Sequence, residues 1–188
     1  MNIIYNTWAK AGGFLFIIII LYVLLFTPYK TFNLQTTGWL NLAFLMLHQF
    51  EEYVYPGGFK EFFKSNISGS VRFKINDASA FNVNVTLGWS FYFLAAILSG
   101  IYPILLVVAL GINLLNGLVH TGAAIVLRKY TPGLLSGLFI FIPFSVYVLR
   151  QLIINDLIIT GNWFTIFIFI IAGALTIPLT LYIFKEKK

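Results

Sequence analysis

The sequence predicts an all-α membrane protein, a bundle of six transmembrane helices with both termini in the cytoplasm. Three observations carry that expectation. Of 188 residues, 60% are hydrophobic and 10% charged, against roughly 25% charged in ordinary soluble domains. Apolar runs recur at lengths near that of a bilayer core, and mean hydropathy is +0.91. Lys and Arg collect in alternate connections between those runs. One transmembrane domain over residues 1–188 accounts for the length. The chain has no cysteine, which excludes disulfides, thiolate nucleophiles and Cys-ligated metal.

The spans follow in order. Ala11–Thr27 contains Phe16-Ile17-Ile18-Ile19-Ile20 and lacks a small-residue cleavage site, so it reads as a retained helix and not a signal peptide. Trp39–Val54, Val83–Ser99, Ile101–Leu127, Leu134–Leu149 and Trp163–Phe184 are the others. Helices are required because lipid leaves each backbone group to be satisfied within the chain. Gly100 and Pro103 mark a tight turn, since Gly suits a helix end and Pro a helix start. The 45 residues from Val83 to Leu127 then form two antiparallel helices, because one helix of that length would far exceed a membrane. The longest polar stretch runs from Pro56 to Asn82. Within it, Phe59, Phe62 and Phe63 share a face apart from Lys60, Glu61 and Lys64, which suits a short interfacial helix near 58–65. Val71–Ile75 alternates and suits extended chain.

Charge sets the topology. Lys10, then Lys60, Lys64, Arg72 and Lys74, then Arg128 and Lys129, then Lys185, Lys187 and Lys188 fall on one side; of the 12 basic residues only Lys30 and Arg150 fall on the other. Positive loops lie inside, so both termini are expected in the cytoplasm of a multi-pass protein of the cell membrane, the plasma membrane of a prokaryote. The net charge of +6 is explained by that bias and by anionic lipid heads, with no reason to invoke nucleic acid.

The polar residues inside spans are the functional candidates. His48-Gln49-Phe50-Glu51-Glu52 ends the apolar run Trp39–Leu47. Glu51 and Glu52 follow His48 by three and four residues, so all three share roughly one helix face. Ionisable groups in hydrocarbon are expensive and mark functional sites by default. The fourth span carries Asn113, Asn116 and His120 on one stripe. Both spans enter from outside. His48 and His120 each lie about two turns before the cytoplasmic end, so the topology brings the two histidines to one depth.

The motif resembles the defining one of the HXXEE family of small membrane proteins. Tyr55-Pro56-Gly57-Gly58-Phe59, Asn116 through His120, and Arg128-Lys129-Tyr130-Thr131-Pro132-Gly133 are similar to that family too. The resemblance covers most of His48 to Gly133. It implies a shared fold and a shared site, but no known reaction.

Two imidazoles and one or two carboxylates make a ligand set for a divalent ion, zinc first, with iron or manganese as alternatives. Glu51 or Glu52 could ligate while the other serves as general base. The expected metal ligands are His48, Glu51 and His120, with Glu52 and Asn116 as catalytic partners. A di-iron bundle would need four carboxylates and two Glu-x-x-His motifs. Plain structural readings stand beside these: the histidines as polar glue between helices, Glu52 snorkelling to water, Asn113 as a packing partner. Gly133-x-x-x-Gly137 is a weak dimer signal, Arg150 reads as interfacial, and Asp77 and Asp156 read as loop residues without an evident partner. Three functions follow. The first is a metal-dependent enzyme acting on a lipid or other apolar small molecule in the bilayer. The second is a small proton- or metal-ion-coupled transporter, and the third a non-catalytic membrane partner. The enzyme is preferred, since a carrier needs polar groups along a whole path and the outer halves of the second and fourth spans offer few, Asn41 among them. Oligomeric state is left open.

Overall fold

A computed structural model describes residues 3–27, 32–66, 75–157 and 163–183. Seven helices are seen among them: α1 (Ile4–Phe26), α2 (Leu34–Tyr53), α3 (Phe59–Asn66), α4 (Asp77–Leu98), α5 (Pro103–Leu127), α6 (Leu134–Ile154) and α7 (Trp163–Ile183). Local chemistry sets their ends. The Asn33 side chain accepts from Thr36 N at 2.9 Å to cap α2. Asn76 and Ser79 form a reciprocal capping box at α4. Pro103 opens α5 where its missing N–H is of no consequence, as expected from the Gly100–Pro103 turn. The short helix expected near 58–65 is present as α3. The extended stretch expected at Val71–Ile75 lies outside the described residues but for Ile75.

The six long helices alternate in direction. Tyr5 of α1 stacks on Phe81 of α4 at 5.2 Å, so both helices begin at one end of the bundle. Gly38 near the start of α2 abuts Ala96 near the end of α4. Asn41 and His48 of α2 meet Asn113 and Asn116 of α5 in the same order along the chain, so α2 and α5 are parallel. The far ends of α5, α6 and α7 join through a core of Leu106, Leu110, Val148, Leu152 and Ile166. A second core of Leu42, Leu45, Met46, Tyr92, Ala109 and Phe141 sits between α2, α4, α5 and α6.

Five helices, α1, α4, α5, α6 and α7, are long and apolar enough to cross a membrane. Large side chains cover their outer faces, with Leu25 72% and Phe164 77% exposed, a surface that fits lipid far better than water. α2, the second of the six expected spans, falls outside that set. Its Asn41, His48, Gln49, Glu51 and Glu52 lower its hydropathy, and all five are buried. At 20 residues it has a span's length of about 30 Å, but its neighbours enclose it and its polar groups pair with protein.

Two stretches are wound as π-helix, Asn82–Trp89 within α4 and Gly137–Phe141 within α6. The expected Gly-x-x-x-Gly dimer signal has an internal role: α5 and α6 cross at Gly117 and Gly137, where a Cβ on Gly117 would stand 2.8 Å from the Gly137 carbonyl. Asp77 is not a loop residue without a partner. It opens α4 and forms an ion pair with Lys60 of α3, tying the short helix across the end of the bundle. Arg150 is exposed, and Asp156 sits at φ 53 in the turn after α6.

Close backbone approach makes Gly38 a test of this packing. A Cβ there would lie 2.6 Å from the Ala96 Cα, so Gly38→Val should destabilise by about 1–3 kcal/mol. Thermal unfolding in detergent should show a lowered midpoint, and an unchanged midpoint would contradict the α2–α4 contact.

Candidate metal centre

The site lies where the last turns of α2 and α5 meet the first turn of α6. His48 and His120 are 1% and 6% exposed, with ring centroids 5.0 Å apart at 74°. Phe141 covers His48 at 4.5 Å, and Phe59 of α3 closes over His120 at 6.1 Å. The depth expected from the charge pattern thus places both imidazoles side by side.

The two carboxylates exchange the places expected of them. Glu52, not Glu51, faces the imidazoles: its Oε1 lies 3.6 Å from His48 Nε2 and 3.3 Å from His120 Nε2. One ligand atom from each of His48, Glu52 and His120 lies within 4.8 Å of the others. Ligands about 2.0–2.1 Å from a tetrahedral ion sit about 3.3 Å from one another, so these two separations suit a shared ion. Two His and one Glu with an open fourth position is a ligand set of catalytic zinc. Among the described residues the imidazoles of His48 and His120 are the groups that face the buried Glu52 carboxylate within 4 Å, and a buried carboxylate calls for a countercharge. This buried group could hold a metal ion.

Glu51 turns the other way and caps α6. It accepts from Leu135 N at 2.9 Å, from Ser136 N at 2.7 Å, from the Ser136 hydroxyl and from the Tyr130 hydroxyl at 2.7 Å. The two backbone donors are among the first-turn N–H groups that a helix leaves unpaired, and a carboxylate there also meets the positive end of the helix dipole. Gly133 precedes this turn at φ 95, and a Cβ on it would strike both rings, 2.7 Å from His48 Cε1 and 2.9 Å from His120 Cε1. Only glycine meets both demands. Tyr130 as a residue is 40% exposed, but its hydroxyl bonds to Glu51; burial and that bond push the phenol above its ordinary range, so it stays a donor.

Ser136 links cap and cluster. Its single proton goes to Glu51, so its oxygen accepts from His48 Nδ1 at 2.8 Å. His48 then carries its proton on Nδ1 and presents the Nε2 lone pair to the cluster. Asn116 Nδ2 donates to that lone pair at 3.0 Å. Thr131 Oγ1 donates to the His120 carbonyl at 3.1 Å, holding the α5–α6 turn against α5.

Deeper in the bundle Tyr92, Asn113 and Asn41 pair with one another. The Tyr92 hydroxyl donates to Asn113 Oδ1 at 2.6 Å, and Asn113 Nδ2 donates to Asn41 Oδ1 at 2.9 Å, the packing role expected of Asn113. Beside the cluster, Trp89 Nε1 donates to Gln49 Oε1 at 2.6 Å and Gln49 Nε2 to Asn84 Oδ1 at 3.0 Å. Sequence reasoning missed Ser136, Tyr130 and Gly133 as site residues. Tyr130 and Gly133 stand in the Arg128–Gly133 block that carries the family resemblance, whereas a lone serine near a glycine carries no signal.

A family model described as a protein of unknown function with HXXEE motif matches residues 39–148. The chain belongs to that family. The match runs from α2 into α6 and so includes each residue of the cluster and of the cap. No curated protein and no solved structure matches. Within the family's motif the geometry divides the labour: in this HXXEE chain the His and the second Glu face the cluster, and the first Glu holds the neighbouring helix.

Glu51→Ala should destabilise whether or not an ion is present, because it leaves the Leu135 and Ser136 N–H groups unpaired at about 1–3 kcal/mol each. Thermal unfolding with and without chelator should show the same deficit. A deficit that vanishes under chelation would make Glu51 a ligand instead.

Proposed function

We propose that His48, Glu52 and His120 bind one divalent metal ion, zinc or else iron or manganese, and that the protein is a metal-dependent membrane enzyme acting on a lipid or other apolar small molecule. The convergence of the three side chains, with one ligand atom of each within 4.8 Å of the others, at the end of a largely apolar cavity of about 420 Å³, is the observation that carries this reading. His48, Glu52 and Asn116 line that cavity directly, so a molecule within it would touch the cluster.

A bound ion would supply Lewis acidity toward a substrate oxygen. The chain's own residues do the rest. Ser136 and Glu51 keep the His48 Nε2 lone pair turned to the cluster. Asn116 lies where its amide can donate to a substrate oxygen instead of to His48. Glu52, the carboxylate that faces the imidazoles, would be the base for a proton released there. Phe59 and Phe141 pack on the imidazoles and exclude water, which strengthens each electrostatic contact in the site.

The same reading takes α2 as a sixth span, one enclosed by the others, within a single transmembrane domain of a cell membrane. It then puts both termini, α3 and the Arg128–Pro132 turn in the cytoplasm, as the Lys and Arg bias suggests. A carrier is less well supported. Beyond the cluster the mid-depth polar groups Asn41, Tyr92 and Asn113 are engaged with one another and offer no continuous relay.

Protein purified gently should hold about one equivalent of metal. His48→Ala, Glu52→Gln and His120→Ala should each lose it while the fold is kept. Glu52→Gln is the sharpest, since it preserves shape and removes the charge a cation needs. Retention of metal in Glu52→Gln would sink the assignment. Topology has its own test: reporter fusions should place the Gln151–Asn162 connection on the side opposite the C terminus, and finding both on one side would end the six-span reading.

A further inference from the structure

We infer that the cavity takes a neutral, single-chain amphiphile, a fatty or prenyl alcohol, aldehyde or ester, with its oxygen at the cluster and its tail running toward the middle of the bilayer. This rests on the proposed metal site and adds the substrate class and its route of entry. The cavity is elongated along the bundle. On α2 it is lined from Glu52 to Leu45 and on α5 from Asn116 to Val108, which at 1.5 Å per residue gives a slot about 10–12 Å long. About 420 Å³ in that shape suits one chain, not the two of a phospholipid.

Its chemistry is graded. Polar groups gather at one end, where Gln49 and Asn84 stand beside His48, Glu52 and Asn116. Beyond them the walls are Leu45, Phe91, Val108 and Ile112, and the last polar pair, Tyr92 and Asn113, is already engaged. Among the described residues no Lys or Arg lines the slot. A divalent ion there would be balanced by the Glu52 carboxylate and by Glu51 one serine away, so a phosphate or carboxylate head would meet no surplus positive charge. Neutral oxygen is the head that fits.

The mouth opens sideways. Leu87 of the π-wound stretch of α4 and Phe169 and Ile177 of α7 line the slot and are also 40%, 54% and 38% exposed. Gly88 and Gly173 are on the same two walls. Among the described residues of α7, Ile166 and Thr180 are the buried ones, so α7 is the least held of the walls. A π-helix widens the helix radius and is frequent at functional sites; here it forms the wall facing α7.

The probe is a medium-chain alcohol carrying a diazirine at its far end, added to the purified protein in nanodiscs, with adducts mapped by mass spectrometry and metal measured in the same samples. Adducts should fall on the α2, α4 and α5 walls of the slot, near Leu45, Phe91 and Val108. The unlabelled alcohol should compete, and the same chain bearing a phosphate should compete about tenfold less. Ala172→Phe and Thr176→Phe, two exposed positions of α7 on the lining, should each lower labelling about tenfold with metal content unchanged. Labelling confined to the outer faces, equal competition by the phosphate, or full labelling in both mouth variants would overturn the inference. Slot labelling in protein without metal would instead leave the inference standing and remove the metal reading.

Discussion

A carboxylate at the start of a helix organises this protein's interior. Glu51 gathers Tyr130, Leu135 and Ser136 onto one group, and so joins the end of α2 to the beginning of α6. Such a charge is expensive to bury unless each oxygen is fully bonded, and here both are. The remaining features of the site depend on that anchoring. Ser136 reaches His48 only because α6 starts where it does. Gly133 lies against both imidazoles for the same reason, at a φ that other residues rarely adopt.

From that anchor the motif acquires a physical meaning. One turn of helix separates His48 from the two glutamates, and adjacent residues on a helix diverge by about 100°. The first glutamate therefore reaches sideways to α6, while the second, at i+4, lies over the imidazole and faces α5. Replacing either carboxylate removes a different thing: a helix anchor in one case, a negative charge among histidines in the other. Two π-wound stretches complete the arrangement. One shapes the cavity wall on α4, and the other brings Phe141 onto His48.

Much of this arrangement is legible in the amino-acid sequence. Apolar periodicity and the Gly100–Pro103 turn place the long helices. The Lys and Arg bias alone brings His48 and His120 to one depth, and the rings do meet. The assignment of Glu51 and Glu52 is not legible, because side-chain direction at neighbouring positions is decided by partners on α5 and α6 that the sequence does not locate. Ser136, Tyr130 and Gly133 are invisible as site residues for the same reason: each acts through a contact between elements distant in the chain. α2 falls outside the apolar spans because its neighbours satisfy polar groups that lipid could not. Asp77 reads as a loop residue because its partner, Lys60, belongs to a helix lying across the bundle end.

The central claim is that one ion sits between His48, Glu52 and His120. X-ray absorption at the edge of whatever metal the purified protein carries tests it most directly. The account predicts two imidazole nitrogens and carboxylate oxygen at about 2.0–2.1 Å for zinc. A shell of oxygen alone, with no imidazole scattering, would contradict it.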